Sequence, residues 1–239
     1  MLAAATALAE PRRDYLSYCA PCHGARGDGR GPAGRLLAPL PRDFTRGAFK
    51  FRSTPSGSLP KDEDILRVID EGLRGTAMVG WRTRLPAPRR RALVEVVKGF
   101  SPRFARERAP APIAIPRPSP IDARAASRGH AVYRRMQCAE CHGDGARGDG
   151  PSVPTLVDDL ADPIVPSDLT RRDDIRRRSQ YGMMLVMLSG MDGTPMPSYA
   201  DSISPSESWD LVRWLVGLQR SPGWLQRFLD PPLVWRGGP

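Results

Sequence analysis

The string Cys-x-x-Cys-His occurs twice in this chain, as Cys19-Ala20-Pro21-Cys22-His23 and as Cys138-Ala139-Glu140-Cys141-His142. The two copies use all four cysteines and two of the three histidines among 239 residues. Any fold for this sequence must therefore present two closely spaced thiols with an imidazole beside them, and must do so twice. An internal repeat is the first thing such a pattern demands, because it sets the architecture before any element is assigned.

Two thiols and an adjacent imidazole at this spacing are how a chain holds c-type haem: the sulfurs form thioethers to the porphyrin and the histidine reaches the iron. Other chemistries use similar residues. A structural zinc site pairs two Cys-x-x-Cys strings roughly 15–20 residues apart, whereas 115 residues separate Cys22 from Cys138. Zinc also has no need of a histidine directly after each pair. A thioredoxin-like redox pair requires a βαβ setting, and these strings follow short helical segments and precede Gly-rich loops. Two structural disulfides remain the other alternative in an oxidising compartment, although so tight a loop gains little.

A second pattern repeats in step with the first. Gly72-Leu73-Arg74-Gly75-Thr76-Ala77-Met78 matches Gly190-Met191-Asp192-Gly193-Thr194-Pro195-Met196, reading G-x-x-G-T-x-M in both. His23 precedes Met78 by 55 residues and His142 precedes Met196 by 54. With eight methionines in the chain, an isolated one is ordinarily core filler. The matched spacing marks Met78 and Met196 instead as soft thioether ligands suited to haem iron.

On these residues each half resembles a class I cytochrome c, over residues 10–100 and 122–220. The resemblance implies an all-α fold of two tandem domains, each with a leading helix into Cys-x-x-Cys-His, a middle helix, a Met-bearing loop and a closing helix. It implies two covalently attached haems c. Cys19 and Cys22 would hold one, with His23 and Met78 axial; Cys138 and Cys141 would hold the other, with His142 and Met196 axial. The family usually places Pro after the ligand methionine, as in Met196-Pro197, whereas the first half has Met78-Val79. With both irons closed, the resemblance implies an electron-transfer protein rather than an enzyme. The competing readings are a fixed subunit of a larger membrane-associated redox complex and a dihaem peroxidase-type enzyme, which needs an open iron. His130 is the one further imidazole that could replace a methionine.

The repeat offset is 119 residues at the haem motif and 118 at the Met loop. A shorter echo, Pro41-Arg42-Asp43-Phe44-Thr45 against Pro166-Ser167-Asp168-Leu169-Thr170, is offset by 125, so each half carries its own loop lengths. Residues 101–121 form a Pro-rich linker, with Pro102, Pro110, Pro112, Pro116, Pro118 and Pro120. Such a stretch favours an extended spacer, or a strap across one domain. Helix signals fit this plan. Asp62, Glu63 and Asp64 suit a helix start and Gly72 a stop. Pro88 opens a segment whose Leu93, Val94, Val96 and Val97 face the core. Ser204-Pro205-Ser206-Glu207 reads as a capping box. Tyr15 and Leu16, and Val132, Tyr133 and Met136, give the leading helices their apolar sides.

Residues 1–9 read as the tail of a signal peptide whose start lies upstream, consistent with a periplasmic or otherwise extracytoplasmic protein. Residues 221–239 form an aromatic tail, with Trp224, Leu225, Phe228 and Leu229 at helical spacing before Trp235. Packing onto the second domain is the expected fate of this tail. An anchor to a larger membrane complex is the functional alternative.

The net charge of +10 is concentrated in the first half. Residues 10–100 carry 18 basic against 10 acidic groups, the linker 4 against 1, and residues 122–239 carry 14 against 15. This asymmetry points to redox protein partners, with an acidic surface docking on the first domain. Nucleic acid is excluded as a partner, since no stretch interleaves aromatic and basic residues as such a groove requires. The cluster Arg176-Arg177-Arg178 reads as a solvated helix face or a propionate neighbour.

Overall fold

The computed structural model describes residues 10–73, 76–171 and 179–219, with the backbone of 234–235. The expectations for residues 1–9, for Arg176-Arg177-Arg178 and for Trp224 to Leu229 lie outside these. The described residues are mostly helical and fall into two compact units. Residues up to Ala111, with Val234–Trp235, make the first; those from Pro112 make the second.

The first unit opens with helical residues 10–14, widens into a π-helical turn at Tyr15–Cys19, and closes with α1 (Ala20–His23). A π-turn shifts the phase of a helix, so neighbouring side chains change face. Tyr15 is fully buried while Leu16 points outward at 44% exposure, against the expectation that both pack inward. The acidic start signal holds at α2 (Asp62–Glu71): the Asp64 carboxylate accepts from the Lys61 backbone N–H, and from the N–H and hydroxyl of Ser53. Gly72, with φ 67°, ends that helix. Helix α3 (Ala87–Lys98) then lays Leu93, Val94 and Val97 against Tyr15, Ile65 and Ile69.

The linker is held at both ends. Its first part forms the short α4 (Arg103–Arg106), whose Phe104 packs against the first core. There the Arg103 guanidinium donates to Gly47 and Gly57 carbonyls, and Lys61 Nζ donates to the Ala109 carbonyl. Its second part lies on the second unit: Ile113 and Ile115 pack on that core, and Trp209 Nε1 donates to the Pro116 carbonyl at 3.0 Å. A buried indole N–H needs an acceptor, and a proline carbonyl with no competing N–H of its own supplies one.

The second unit repeats the plan with α5 (Ala125–Arg135), α6 (Cys138–His142), α7 (Gln180–Ser189) and α8 (Pro205–Leu218). Gly129 lets α5 and α8 approach closely, because a Cβ there would strike the Asp210 carbonyl. Met183, Met184 and Met187 of α7 fill the core, the ordinary role of methionine. The Ser204–Glu207 capping box forms as the sequence indicates.

Of the tail, the backbone of Val234–Trp235 is described. β2 (Val234–Trp235) pairs antiparallel with β1 (Leu37–Ala38), Leu37 opposite Trp235 and Ala38 opposite Val234. These residues thus join the first unit, not the second. Val and Trp suit an extended edge, and the Leu37–Ala38 backbone offers one.

Candidate functional site

In the first unit, α1 delivers Cys22 and His23 and stops at Gly24, whose N–H donates to the Ala20 carbonyl. Gly24 has φ 77°, and a Cβ there would run into the Asp28 carboxylate. The buried Tyr15 hydroxyl donates to the Gly24 carbonyl at 2.8 Å, pinning the leading helix to the end of the motif. The chain then curls back, with Gly29 N–H on the His23 carbonyl and Phe44 N–H on the Gly27 carbonyl. This return brings the Arg42 carbonyl to 3.2 Å from His23 Nδ1. A carbonyl can only accept, so Nδ1 carries the proton and Nε2 keeps its lone pair, the arrangement a metal-binding imidazole requires. Phe44 stacks on the imidazole at 4.6 Å between centroids. Burial lowers the His23 pKa, partly offset by the bond to Arg42, so the ring is neutral.

The second unit reproduces the hydrogen bonds, with Leu169 in place of the stacked Phe44. Tyr133 donates to the Gly143 carbonyl at 2.6 Å, Gly148 N–H to the His142 carbonyl, and Leu169 N–H to the Ala146 carbonyl. His142 Nδ1 lies 3.2 Å from the Ser167 carbonyl. Tyrosine and glycine stand ten residues apart here and nine in the first unit. The extra residue is absorbed by Gln137, which adopts the left-handed conformation at φ 55° between α5 and α6. The first unit manages with a π-turn instead.

The echo noted in the sequence explains the histidine geometry. Asp43 Oδ1 accepts from the N–H and hydroxyl of Thr45 at 2.9 and 2.6 Å. Asp168 does the same for Thr170 at 2.9 and 2.6 Å. Each Asp–Thr pair rigidifies the turn whose preceding carbonyl holds the imidazole.

The methionine loops are also duplicated. The Thr76 hydroxyl donates to the Leu73 carbonyl at 2.7 Å and accepts from Met78 N–H at 3.1 Å, while Leu73 N–H reaches back to the Met78 carbonyl. In the second unit, Thr194 donates to Met191 at 2.7 Å and accepts from Met196 N–H at 3.3 Å, with Met191 N–H on the Met196 carbonyl. The threonine of G-x-x-G-T-x-M is thus a clasp that fixes the methionine backbone.

Each Met loop returns to its own cysteine turn. Trp81, three residues past Met78, packs on the same core as Cys19 and lies 5.2 Å from the Tyr18 ring. Tyr199, three past Met196, packs on the same core as Cys138. Burial raises all four cysteine pKa values, Cys19 to about 12 and Cys138 to about 11. None of the four sulfurs is in a disulfide, and each is half-buried. Among the described residues no three His, Cys, Asp or Glu side chains group to hold a metal. Paired free thiols beside an imidazole fixed through Nδ1 fit covalent haem. His130 is exposed on α5 and stacks on Trp214 at 4.9 Å between centroids.

Three pairs of participants escaped sequence reasoning: the hydroxyls of Tyr15 and Tyr133, the clasp hydroxyls of Thr76 and Thr194, and the carbonyls of Arg42 and Ser167. Repetition was the signal for all of them.

The family described as cytochrome C oxidase, cbb3-type, subunit III matches the chain twice, over residues 6–95 and 124–215. A solved structure described as the Kuenenia stuttgartiensis reducing HAO-like protein complex Kustc0457/Kustc0458 contains a similar chain. It is 39% identical with a TM-score of 0.85, covering 88% of this chain and 96% of that one. The Cbb3-type cytochrome c oxidase subunit FixPc of Rhizobium leguminosarum bv. viciae is 30% identical over 109 residues, 46% of this chain. That match spans about a third of the relative's length, 34%.

Proposed function

The chain belongs to the family described as cytochrome C oxidase, cbb3-type, subunit III, and from that premise we propose a dihaem carrier of single electrons whose irons are both closed by histidine and methionine. As in its family, it carries two covalently attached haems c, one per unit. The haem supplies reversible one-electron redox chemistry when bound; the protein supplies ligands, burial and orientation. Cys19 and Cys22 hold the first group and Cys138 and Cys141 the second. His23 and His142 ligate through Nε2, since Nδ1 of each is engaged by a backbone carbonyl. Met78 and Met196 would supply the thioether ligands, with Thr76 and Thr194 fixing their backbones. The observation that carries this reading is the exact duplication of the imidazole and methionine clasps, down to the carbonyl acceptors.

The protein works outside the cytoplasm with redox protein partners. The near full-length likeness to a chain in a Kuenenia redox-named complex favours a fixed subunit over a free shuttle. No helix among the described residues is long and apolar enough to cross a membrane. Carbon monoxide tests the closed irons. The reduced protein should show no rapid carbon monoxide binding, and rapid binding to half the haem would replace this reading with the peroxidase-type one.

A further inference from the structure

The two Met-loop faces differ in charge and in what they expose. From Val79 to Arg91 the first unit carries five arginines and no carboxylate, whereas the matching Pro197 to Trp209 carries Asp201 and Glu207 and no basic residue. Three of the five arginines are engaged: Arg89 pairs with Asp14, Arg90 with Asp70, and Arg82 with Asp70 and Glu71. Arg84 and Arg91 are exposed with no carboxylate partner among the described residues. Arg84 instead sits over the Trp81 ring, 5.9 Å from its centroid.

The same face exposes apolar surface next to the haem ligands. Val79 is 43% exposed and Tyr18 44%. Tyr18 precedes Cys19 in the chain, Val79 follows Met78, and the Tyr18–Trp81 ring contact joins the two segments. In the second unit the corresponding positions are Gln137, Pro197, Tyr199 and Ser202. There Tyr199 packs on the core beside Cys138 as Trp81 does beside Cys19, but Ser202 stands where Arg84 does, and Arg135 pairs with Glu207. An aromatic pair with an unpaired arginine over it is present on the first unit, and the matching positions of the second carry no arginine.

We infer that Tyr18, Val79 and Trp81, with the unpaired Arg84 over the Trp81 ring, form the docking face of the first unit for an acidic surface of a protein redox partner. The inference rests on the electron-carrier reading above and adds where the partner sits. Complementary charge steers the encounter, and the ring pair supplies the desolvated centre that small interfaces depend on. Short-range contact there places the partner beside both Cys19 and the Met78 loop, where electron exchange is most direct. An anionic membrane would also attract arginine and tryptophan, and the test separates it.

The full holoprotein would be adsorbed on gold electrodes bearing carboxylate-terminated or ammonium-terminated monolayers, with the electron-exchange rate read by voltammetry. Exchange should be about tenfold faster on carboxylate, with the excess lost in Arg84→Glu and reduced in Trp81→Ala. Arg26→Glu makes the same charge change in the loop after His23, and should leave the rate unchanged. Equal rates on both monolayers, or an equal fall in Arg26→Glu, would overturn the inference. So would tight cosedimentation of the wild-type protein with anionic phospholipid vesicles that Arg84→Glu abolishes. Carbon monoxide insensitivity in solution reports the ligation separately, so failure of the docking face and failure of the closed irons are distinguishable.

Discussion

Replacing Thr194 by valine keeps the side-chain shape and deletes one hydroxyl. In the native loop that hydroxyl donates to the Met191 carbonyl at 2.7 Å and accepts from Met196 N–H at 3.3 Å. The Met191 carbonyl keeps a second donor, Thr194 N–H at 3.0 Å, so its loss is tolerable. Met196 N–H loses its acceptor. An unsatisfied buried donor costs about 1–3 kcal/mol, and for this half-buried loop the lower end, about 1.4 kcal/mol, applies. If the methionine ligates iron, that cost falls on the ligated state and weakens Met196 against an outside competitor. Since 1.4 kcal/mol is about tenfold in an equilibrium constant, added imidazole should bind the second ferric haem about tenfold more tightly in Thr194→Val. Spectroscopic titration of the full holoprotein reads this directly. Thr194→Ser should restore the native affinity, and Thr76→Val should transfer the effect to the first haem. A Thr194→Val affinity within twofold of native, or a serine variant that binds imidazole as tightly as valine, would refute the clasp.

Two further outcomes concern stability. Gly129→Ala puts a methyl onto the Asp210 carbonyl and 2.9 Å from Trp214 Cβ. Overpacking of about 1–3 kcal/mol outweighs the gain of about 1 kcal/mol in helix propensity, so the guanidinium midpoint should fall, and a rise would show that α5 and α8 can part. Glu207 is held down to about 2 by Ser204 backbone and hydroxyl donors and by Arg135. A carboxylate with a lowered folded pKa stabilises above its unfolded value and loses that contribution as pH falls toward the folded one. The stability difference between native protein and Glu207→Gln should therefore be greatest near neutral pH and close between about 4.5 and 2, as followed by circular dichroism; a pH-independent gap contradicts it.

Residues whose identity the chemistry dictates were readable without structure. A thiol pair with an imidazole beside it has few uses, and Asp64 and Glu207 declare helix starts because few other residues satisfy those N–H groups. Features made by backbone atoms were not readable. Any residue could offer the carbonyls of Arg42 and Ser167, so only the neighbouring Asp–Thr echo betrays them. The π-turn at Tyr15–Cys19 likewise leaves no compositional mark, yet it turns Leu16 outward and sets Tyr15 over Gly24. Proline content announced the linker's extension, while its attachment depended on Trp209, Lys61 and Arg103, distant in sequence. The pairing of Val234–Trp235 with Leu37–Ala38 rests on main-chain groups across nearly the whole chain, and helical spacing in the tail gave no hint of it.

Near-infrared magnetic circular dichroism of the ferric holoprotein, native and with Met78→Ala and Met196→Ala, addresses the ligation most directly. The account predicts a methionine–iron charge-transfer band that falls by half in each single variant and vanishes in the double. A band undiminished in either single variant would mean that another group faces that iron.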